Sequence, residues 1–210
     1  MLELKGVKNI IFDLGGVILN IDYGLTADAF MEIGVVNFDE IYSQATQGHT
    51  FDKLETGKIT AEEFRDYIKE FVPSLKSIDI DEAWNAMLLD LPLQRINLLK
   101  ELKKEYRLFL LSNTNEIHMK GFRKIIESSY GESIFDYIFE HQYYSSEIGM
   151  RKPNADCFQY VLENNGLEPS QTLFIDDSIQ HIEGARKLKL RTYHLTASED
   201  IISLFLDKVQ

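Results

Sequence analysis

The sequence predicts an α/β fold, a doubly wound parallel sheet that carries an inserted block of helices. Two observations predict it. Short apolar runs alternate with amphipathic helical patterns, and one long segment breaks that alternation. Alternation favours a parallel sheet because each helix carries the chain back to the same edge of the sheet. The 210 residues, 44% of them hydrophobic, suffice for one core with an insertion.

Four runs have the composition of buried strands. The first, Val7–Phe12, is rich in β-branched residues and stops at Asp13, just before the Gly15-Gly16 pair of a tight turn. The others are Leu108–Leu111, Thr172–Ile175 and Arg191–His194. Polar residues follow three of the four runs, so we expect them at the carboxyl edge of the sheet, where doubly wound folds form their ligand crevice.

The helices of the sheet region have one apolar face each. Apolar residues recur at spacings of three and four in two segments, at Ile96, Leu99, Leu102 and Tyr106, and at Phe158, Val161 and Leu162. This spacing is typical of helices that pack on a sheet.

Residues from about 20 to about 91 contain no strand pattern and predict an inserted helical domain. The expected helices are Ala27–Ile33, Phe38–Ala45, Ala61–Phe71 and Ile80–Met87. A Thr60/Glu63 capping box opens the third. We therefore expect a core of residues 1–19 and 92–210 and a helical domain of residues 20–91.

Charge and cysteine content restrict the partners. The formal net charge of −12 argues against nucleic acid or an anionic membrane as the main partner, because both attract clustered Lys and Arg. Asp13 interrupts the first apolar run, so we expect a strand there and neither a signal peptide nor a membrane span. The one cysteine, Cys157, has no intramolecular disulfide partner, which favours the cytoplasm.

Four polar clusters carry a resemblance to a known family. They lie in FDLGGV, LLSNTN, GMRKP and FIDD, and centre on Asp13, Ser112-Asn113, Lys152-Pro153 and Asp176-Asp177. These segments resemble the four motifs of haloacid dehalogenase-type phosphatases, whose Rossmann-like core carries a helical cap. The helical insertion resembles that cap. EIGMRKPNADCFQYVL, SNTNEIH and FIDDSIQHIEGA are similar to bacterial sugar 1-phosphate phosphatases.

The resemblance implies a phosphatase that acts on a small phosphorylated metabolite, such as a sugar 1-phosphate. Asp13 matches the nucleophile, which forms an aspartyl phosphate that water then hydrolyses. Ser112 and Asn113 match the motif in which a hydroxyl and a backbone amide bind phosphate oxygens. Lys152 matches the ammonium that neutralises both nucleophile and phosphate.

The resemblance also implies a magnesium ion. The matching ligands are Asp13, the backbone carbonyl of Gly15 and Asp177. Asp176 is either a further ligand or the holder of a metal-bound water. Carboxylates, a carbonyl and waters are the ligands that Mg²⁺ prefers.

Gly15 departs from the family pattern, because most members have a second Asp there that protonates the leaving group. Glycine has no carboxyl group, so it cannot supply the acid catalysis that raises the rate by about a hundredfold or more. Either the substrate has a good leaving group or another residue, such as His49 or Glu55, is the acid. We also expect that the turn can require a positive φ at Gly15.

Two alternatives stay open. A hydrolytic dehalogenase of the same superfamily also lacks the second Asp and needs no metal. A catalytically weak binding or regulatory protein would keep the pocket without turnover. The sequence gives no indication of oligomeric state.

Overall fold

The protein is described here from a computed structural model, which covers residues 2–36, 38, 40–42 and 49–206. Five parallel strands form one sheet in the order β3-β2-β1-β4-β5. The strands are β1 (Asn9–Phe12), β2 (Arg107–Ser112), β3 (His141–Tyr144), β4 (Thr172–Asp176) and β5 (Arg191–His194). Since the chain extends the sheet to one side of β1 and later to the other, the crevice at the end of β1 is the topological switch point.

Helices cover both faces of the sheet, as expected. They are α5 (Leu93–Leu102), α6 (Glu116–Tyr130), α7 (Ile134–Ile138), α8 (Ser145–Ile148), α9 (Ala155–Asn165), α10 (Ile179–Lys187) and α11 (Ile201–Leu204). Ile10 and Phe12 belong to a cluster with α5 and α6, while Ile11 faces the opposite cluster with α9 and α10. Alternate residues of β1 therefore enter two separate apolar layers.

The chain between β1 and α5 folds as helices. They are α1 (Tyr23–Glu32), α2 (Thr50–Glu55), α3 (Ala61–Lys69) and α4 (Ser77–Asn85), and residues 38 and 40–42 are helical too. These helices share a third apolar cluster that includes Phe30, Phe64 and Trp84. We call the helical region of residues 20–91 the cap. Part of the expected helix Phe38–Ala45 lies outside the described residues.

Several expected boundaries differ from the structure. α1 begins four residues earlier than expected because Asp22 caps it, accepting a hydrogen bond from the Gly24 amide at 2.9 Å. The first strand begins at Asn9 rather than Val7. β3 and the short α2 were not expected.

The chain enters and leaves the cap through one antiparallel pairing. The Asn20 amide donates to the Asp90 carbonyl at 2.9 Å, and the Leu89 amide donates to the Asn20 carbonyl at 3.0 Å. Ile21 pairs with Leu88 in the same stretch. Both connections therefore leave the core together, beside the end of β1. None of the described helices has the combined length and apolar character needed to span a bilayer.

Candidate active site

Asp13, directly after β1, lies at the centre of a buried cluster of charges. The Lys152 ammonium is 2.8 Å from Asp13 Oδ1 and 2.7 Å from Asp176 Oδ2. The Leu14 amide also donates to Asp13 Oδ1, at 2.6 Å. Lys152 and Asp176 are both 0% exposed, and Asp13 is 7% exposed. Lys152 is therefore a buried cation with two carboxylate partners, not a surface charge.

Asp176, at the end of β4, is held from several directions. Its Oδ1 accepts a hydrogen bond from the Ser178 amide at 2.8 Å, and its Oδ2 accepts one from Lys152. His181 Nδ1 lies 2.9 Å and 3.1 Å from the two oxygens. Both oxygens of Asp176 are thus engaged by protein donors.

Asn113 positions Lys152 through the backbone. Its Nδ2 donates to the Lys152 carbonyl at 2.9 Å, and its Oδ1 accepts from the Lys152 amide at 2.9 Å. The loop after β2 and the loop before α9 are thereby joined at the residue that carries the ammonium. Ser112, the last residue of β2, is also buried.

Asp177 is the less engaged member of the acidic pair, and it approaches the turn after Asp13. Gly16 has φ +72°, and a Cβ there would lie 2.1 Å from Asp177 Oδ2. Gly16 therefore meets two demands, a left-handed backbone and room for a carboxylate. Gly15 does not have a positive φ, so the expectation about its backbone is wrong. A Cβ at Gly15 would lie 3.1 Å from Ile21 Cδ1, 3.6 Å from Ile21 Cγ2 and 3.9 Å from Ile21 Cγ1.

A cavity of about 440 Å³ lies between this cluster and the cap. Five of the expected site residues line it: Asp13, Gly15, Ser112, Asn113 and Asp177. Lys152 and Asp176 are buried against Asp13. The cap contributes Tyr23, Tyr42, Glu55 and Met87 to the lining, and α6 contributes His118. An adjoining cavity of about 300 Å³ extends into the cap, lined largely by apolar residues, among them Phe38, Phe51, Leu54 and Trp84.

The boundary between the two cavities is formed by the residues that line both, which are Tyr23, Tyr42, Glu55, Met87, Asn113 and His118. Trp84 stacks on His118 at a centroid distance of 5.1 Å and on Phe51 at 5.3 Å. His118 Nδ1 lies 3.0 Å from Asn85 Oδ1, and burial lowers the pKa of His118 to about 3. Trp84 therefore belongs to the cap core and also lines the smaller cavity.

Burial and the neighbouring charges together set the pKa values of the carboxyl groups in this cluster. Desolvation and the neighbouring Asp176 raise the pKa of Asp13 well above its usual value, although Lys152 opposes the shift. Burial and Asp176 also raise the pKa of Asp177. Lys152 and His181 outweigh burial at Asp176 and lower its pKa. Three carboxyl groups, those of Asp13, Asp176 and Asp177, interact with the single ammonium of Lys152. A further cation would therefore be favoured by the remaining negative charge.

Sequence reasoning missed two contributors, Tyr23 and His181. No spacing of residues in the sequence marks His181 as a partner of Asp176. The first turn of α10 brings the two side chains together. His49, considered as a possible acid, is exposed and lies 2.9 Å from Asp52, outside the residues that line the cavity.

A family model of haloacid dehalogenase-like hydrolases matches residues 7–189. The chain belongs to this family. It is 32% identical over 188 residues to a D-ribitol-5-phosphate phosphatase of Bacteroides thetaiotaomicron, covering 89% of this chain and 91% of that protein. The expected family and the Rossmann-like α/β core are thereby confirmed.

Solved structures of the family superimpose closely. A family enzyme of Bacteroides thetaiotaomicron, in complex with magnesium and inorganic phosphate, has a TM-score of 0.85 and 37% identity, covering 95% of this chain and 99% of that one. A predicted family hydrolase of Porphyromonas gingivalis has a TM-score of 0.81 and 28% identity, covering 96% and 97%.

Proposed function

We propose that this chain is a magnesium-dependent phosphatase that hydrolyses a small phosphorylated metabolite through an aspartyl phosphate on Asp13. One observation carries the proposal: Asp13 faces a cavity between the core and the cap while its carboxylate is fixed by a buried lysine. That geometry suits a nucleophile that attacks phosphorus, because the ammonium offsets the repulsion between two anions.

The residues around Asp13 fit a hard divalent cation. Asp13 and Asp177 offer carboxylates on the cavity side, and Gly15 offers its carbonyl. Asp13, Asp176 and His181 also bring ligand atoms within 4.8 Å of one another. Since Asp176 and His181 bond to each other, we assign Asp177 as the ligand and Asp176 as the anchor of Lys152. Mg²⁺ in this place would neutralise phosphate charge and orient it for in-line attack.

The residues of the chain divide the first step among them. An Asp13 oxygen attacks phosphorus, forming an oxygen–phosphorus bond as the bond to the leaving oxygen breaks. Lys152 stays bonded to Asp13 and balances its charge. Ser112 and the amide of Asn113 are placed to donate to phosphate oxygens, and the Asn113 side chain keeps Lys152 in position. Water then hydrolyses the acyl phosphate.

The leaving group occupies the cap side of the cavity. The D-ribitol-5-phosphate phosphatase that this chain resembles supports a phosphorylated polyol or sugar as substrate. Sugar 1-phosphates, implied by the sequence motifs, belong to the same class. The aromatic boundary and the carboxyl of Glu55 suit a small molecule with both apolar faces and hydroxyls.

The dehalogenase alternative needs neither a cation nor Asp177. The acidic pair after β4 and the surplus of carboxylates over ammonium groups around Asp13 favour the phosphatase. A weak binding protein would not need a nucleophile held by a buried lysine.

The nucleophile is tested by Asp13→Asn. We expect phosphatase activity, measured with Mg²⁺ over a panel of sugar and polyol phosphates, to fall at least about a thousandfold, because the amide cannot form the acyl phosphate. Thermal unfolding should show an intact fold. Addition of a chelator should abolish wild-type activity reversibly. Activity retained in the variant, or halide release from a 2-haloacid by chelated protein, would contradict the proposal.

We further propose that the partner is confined to such metabolites and that the protein acts in the cytoplasm. The net charge of −12 supports the first proposal, and the single cysteine supports the second.

A further inference from the structure

Glu55 is the last residue of α2 and is set at the junction of the two cavities. It lines both the 440 Å³ cavity that contains Asp13 and the apolar cavity in the cap. A leaving group attached to a phosphate at Asp13 would lie between these cavities. Glu55 is therefore a carboxyl that the cap supplies on the side where the leaving oxygen departs.

One oxygen of Glu55 is buried without a hydrogen bond. Arg151 Nε lies 2.9 Å from Glu55 Oε2, yet neither atom forms an aligned hydrogen bond within the described part of the chain. The Arg151 guanidinium instead directs its Nη1 to Asp52. Glu55 Oε2 is therefore enclosed beside Arg151, and the Glu55 side chain, 27% exposed, reaches the cavity through its remaining surface.

The surroundings keep Glu55 protonated to a higher pH than usual. Burial raises the pKa of Glu55, and Arg151 only partly opposes the shift. The titratable and charged groups that face Glu55 are Arg151, Asp52, His181, Tyr42 and Tyr23. A general acid must hold its proton near the working pH, and burial is the usual means by which a carboxyl does so.

Other titratable groups of the described lining are poorer proton donors. His118 is neutral, with a pKa of about 3 and one nitrogen engaged by Asn85. His181 is held by Asp176. Burial raises the pKa of Tyr23 and of Tyr42 above that of an ordinary phenol, so neither gives up its proton easily. Asp177 faces the turn at Gly16. Glu55 is the carboxyl that remains.

We propose that Glu55 replaces the acid that Gly15 cannot supply. When Asp13 attacks phosphorus, the bond from phosphorus to the leaving oxygen breaks, and that oxygen takes the proton of Glu55. Glu55 is then a carboxylate. In the second step it takes a proton from the water that attacks the aspartyl phosphate. Phosphate leaves, Asp13 regains its carboxylate, and Glu55 is protonated again.

This inference rests on the proposed phosphatase function, and it changes the expectation drawn from Gly15. Without an acid, only substrates with a good leaving group would be cleaved well. With Glu55 in that role, esters of ordinary alcohols become good substrates, and the dependence on the leaving group appears only when Glu55 is removed.

The test is Glu55→Gln assayed on two substrates with Mg²⁺ present, D-ribitol 5-phosphate and p-nitrophenyl phosphate. The first has an alcohol leaving group that needs a proton, and the second has a phenolate that leaves unprotonated. We expect kcat/KM to fall by about a hundredfold or more on the first and by less than about tenfold on the second. Equal losses on both substrates would overturn the proposal.

Asp52→Asn is the matched control, because Asp52 also pairs with Arg151 from α2 but does not line the 440 Å³ cavity. We expect Asp52→Asn to leave the ratio of the kcat/KM values for the two substrates unchanged. If Asp52→Asn reproduces the selective loss, Glu55 acts only by holding Arg151, and the proposal is wrong.

Two further variants guard against a folding defect. Gly15→Asp in the Glu55→Gln background restores a carboxyl at a position where a Cβ would need only a small shift of Ile21 Cδ1. It is expected to recover at least about tenfold on the alcohol phosphate. Glu55→Asp keeps the acid and should keep the substrate ratio within about tenfold of wild type. If Glu55→Asp changes the ratio of the two kcat/KM values as much as Glu55→Gln does, Glu55 is not the acid. Wild-type protein that hydrolyses neither substrate would instead overturn the proposed phosphatase function.

Discussion

At the scale of single residues, the cost of burying charge explains the arrangement around Lys152. An ammonium removed from water is tolerated only when opposite charges and hydrogen bonds replace its hydration. Asp13 and Asp176 supply the charges at 2.8 Å and 2.7 Å, and Asn113 fixes the backbone on both sides of the ammonium-bearing residue. Asp13, Lys152 and Asp176 therefore form one interdependent unit.

The buried His118 should make the protein sensitive to acid. Its folded-state pKa of about 3 lies below the usual 6.5, so the unfolded chain binds more protons between these values. Stability is therefore fully present above about pH 6.5 and is lost as the pH falls toward 3, by up to about 1.4 kcal/mol per pH unit. Urea unfolding of the wild type and of His118→Gln between pH 7 and pH 4 would measure the difference in slope.

His49→Gln is the control for this measurement. His49 has a 70% exposed side chain beside Asp52, so its replacement should leave the acid slope unchanged. If wild type and His118→Gln lose stability in parallel as the pH falls, the buried imidazole is not the acid-sensitive group.

The motifs predicted the residues that converge at the end of β1, and the structure places Asp13, Gly15, Ser112, Asn113 and Asp177 around one cavity. They are predictable because strand ends in a parallel sheet meet at one edge. The place of Glu55 and the burial of His118 follow from how the cap packs on the core. That packing leaves no local pattern in the sequence.

At the scale of elements, strands with apolar runs were predictable and the strand without one was not. Arg191–His194 agrees with its expected bounds, and Thr172–Ile175 differs by one residue. β3 has the sequence HQYY, and only its last two residues are buried. Its first two residues, His141 and Gln142, are polar and not buried, so its sequence lacks the apolar run of a buried strand.

The capping box of α3 offers a test at this scale. The Thr60 amide donates to Glu63 Oε2 at 2.7 Å, and the Glu63 amide donates to Thr60 Oγ1 at 3.2 Å, as the sequence predicted. Thr60→Ala removes one acceptor at the helix start and should lower the free energy of unfolding by about 1 kcal/mol. Chemical denaturation measures it. Thr60→Ser is the matched control, because it keeps the hydroxyl that accepts from the Glu63 amide, and a loss equal to that of Thr60→Ala would contradict the role of this hydrogen bond.

At the scale of the whole molecule, the described residues of the cap share an apolar cluster and contact the sheet domain at several points. The antiparallel pairing at residues 20–22 and 87–90 joins them covalently and by hydrogen bonds. Arg151, next to Lys152 in sequence, pairs with Asp52 and Glu55 of α2. α4 packs on α6, where Ile117 enters the cap cluster. Cap position is thereby linked to the loop that carries Lys152.

Gly121 sets how closely α4 approaches α6. A Cβ at this position would lie 2.8 Å from both Asn85 Oδ1 and Leu88 Cδ1. Asn85 Oδ1 is also the partner of His118, so a methyl group here would displace the amide that orients the imidazole at the cavity. Gly121→Ala would raise the intrinsic helix propensity of α6 by about 1 kcal/mol, yet overpacking commonly costs about 1–3 kcal/mol.

We therefore expect Gly121→Ala to lower both stability and activity, although alanine is the better helix former. The free energy of unfolding, measured in urea, should fall or stay level instead of rising by the helix-propensity gain. kcat/KM for D-ribitol 5-phosphate should fall about tenfold as the cap moves away from Asp13. Lys124→Ala, on the exposed side of the same helix, is the matched control and should leave both unchanged. A Gly121→Ala variant that is more stable than wild type and fully active would show that the cap tolerates displacement, and that the cavity does not depend on this close approach.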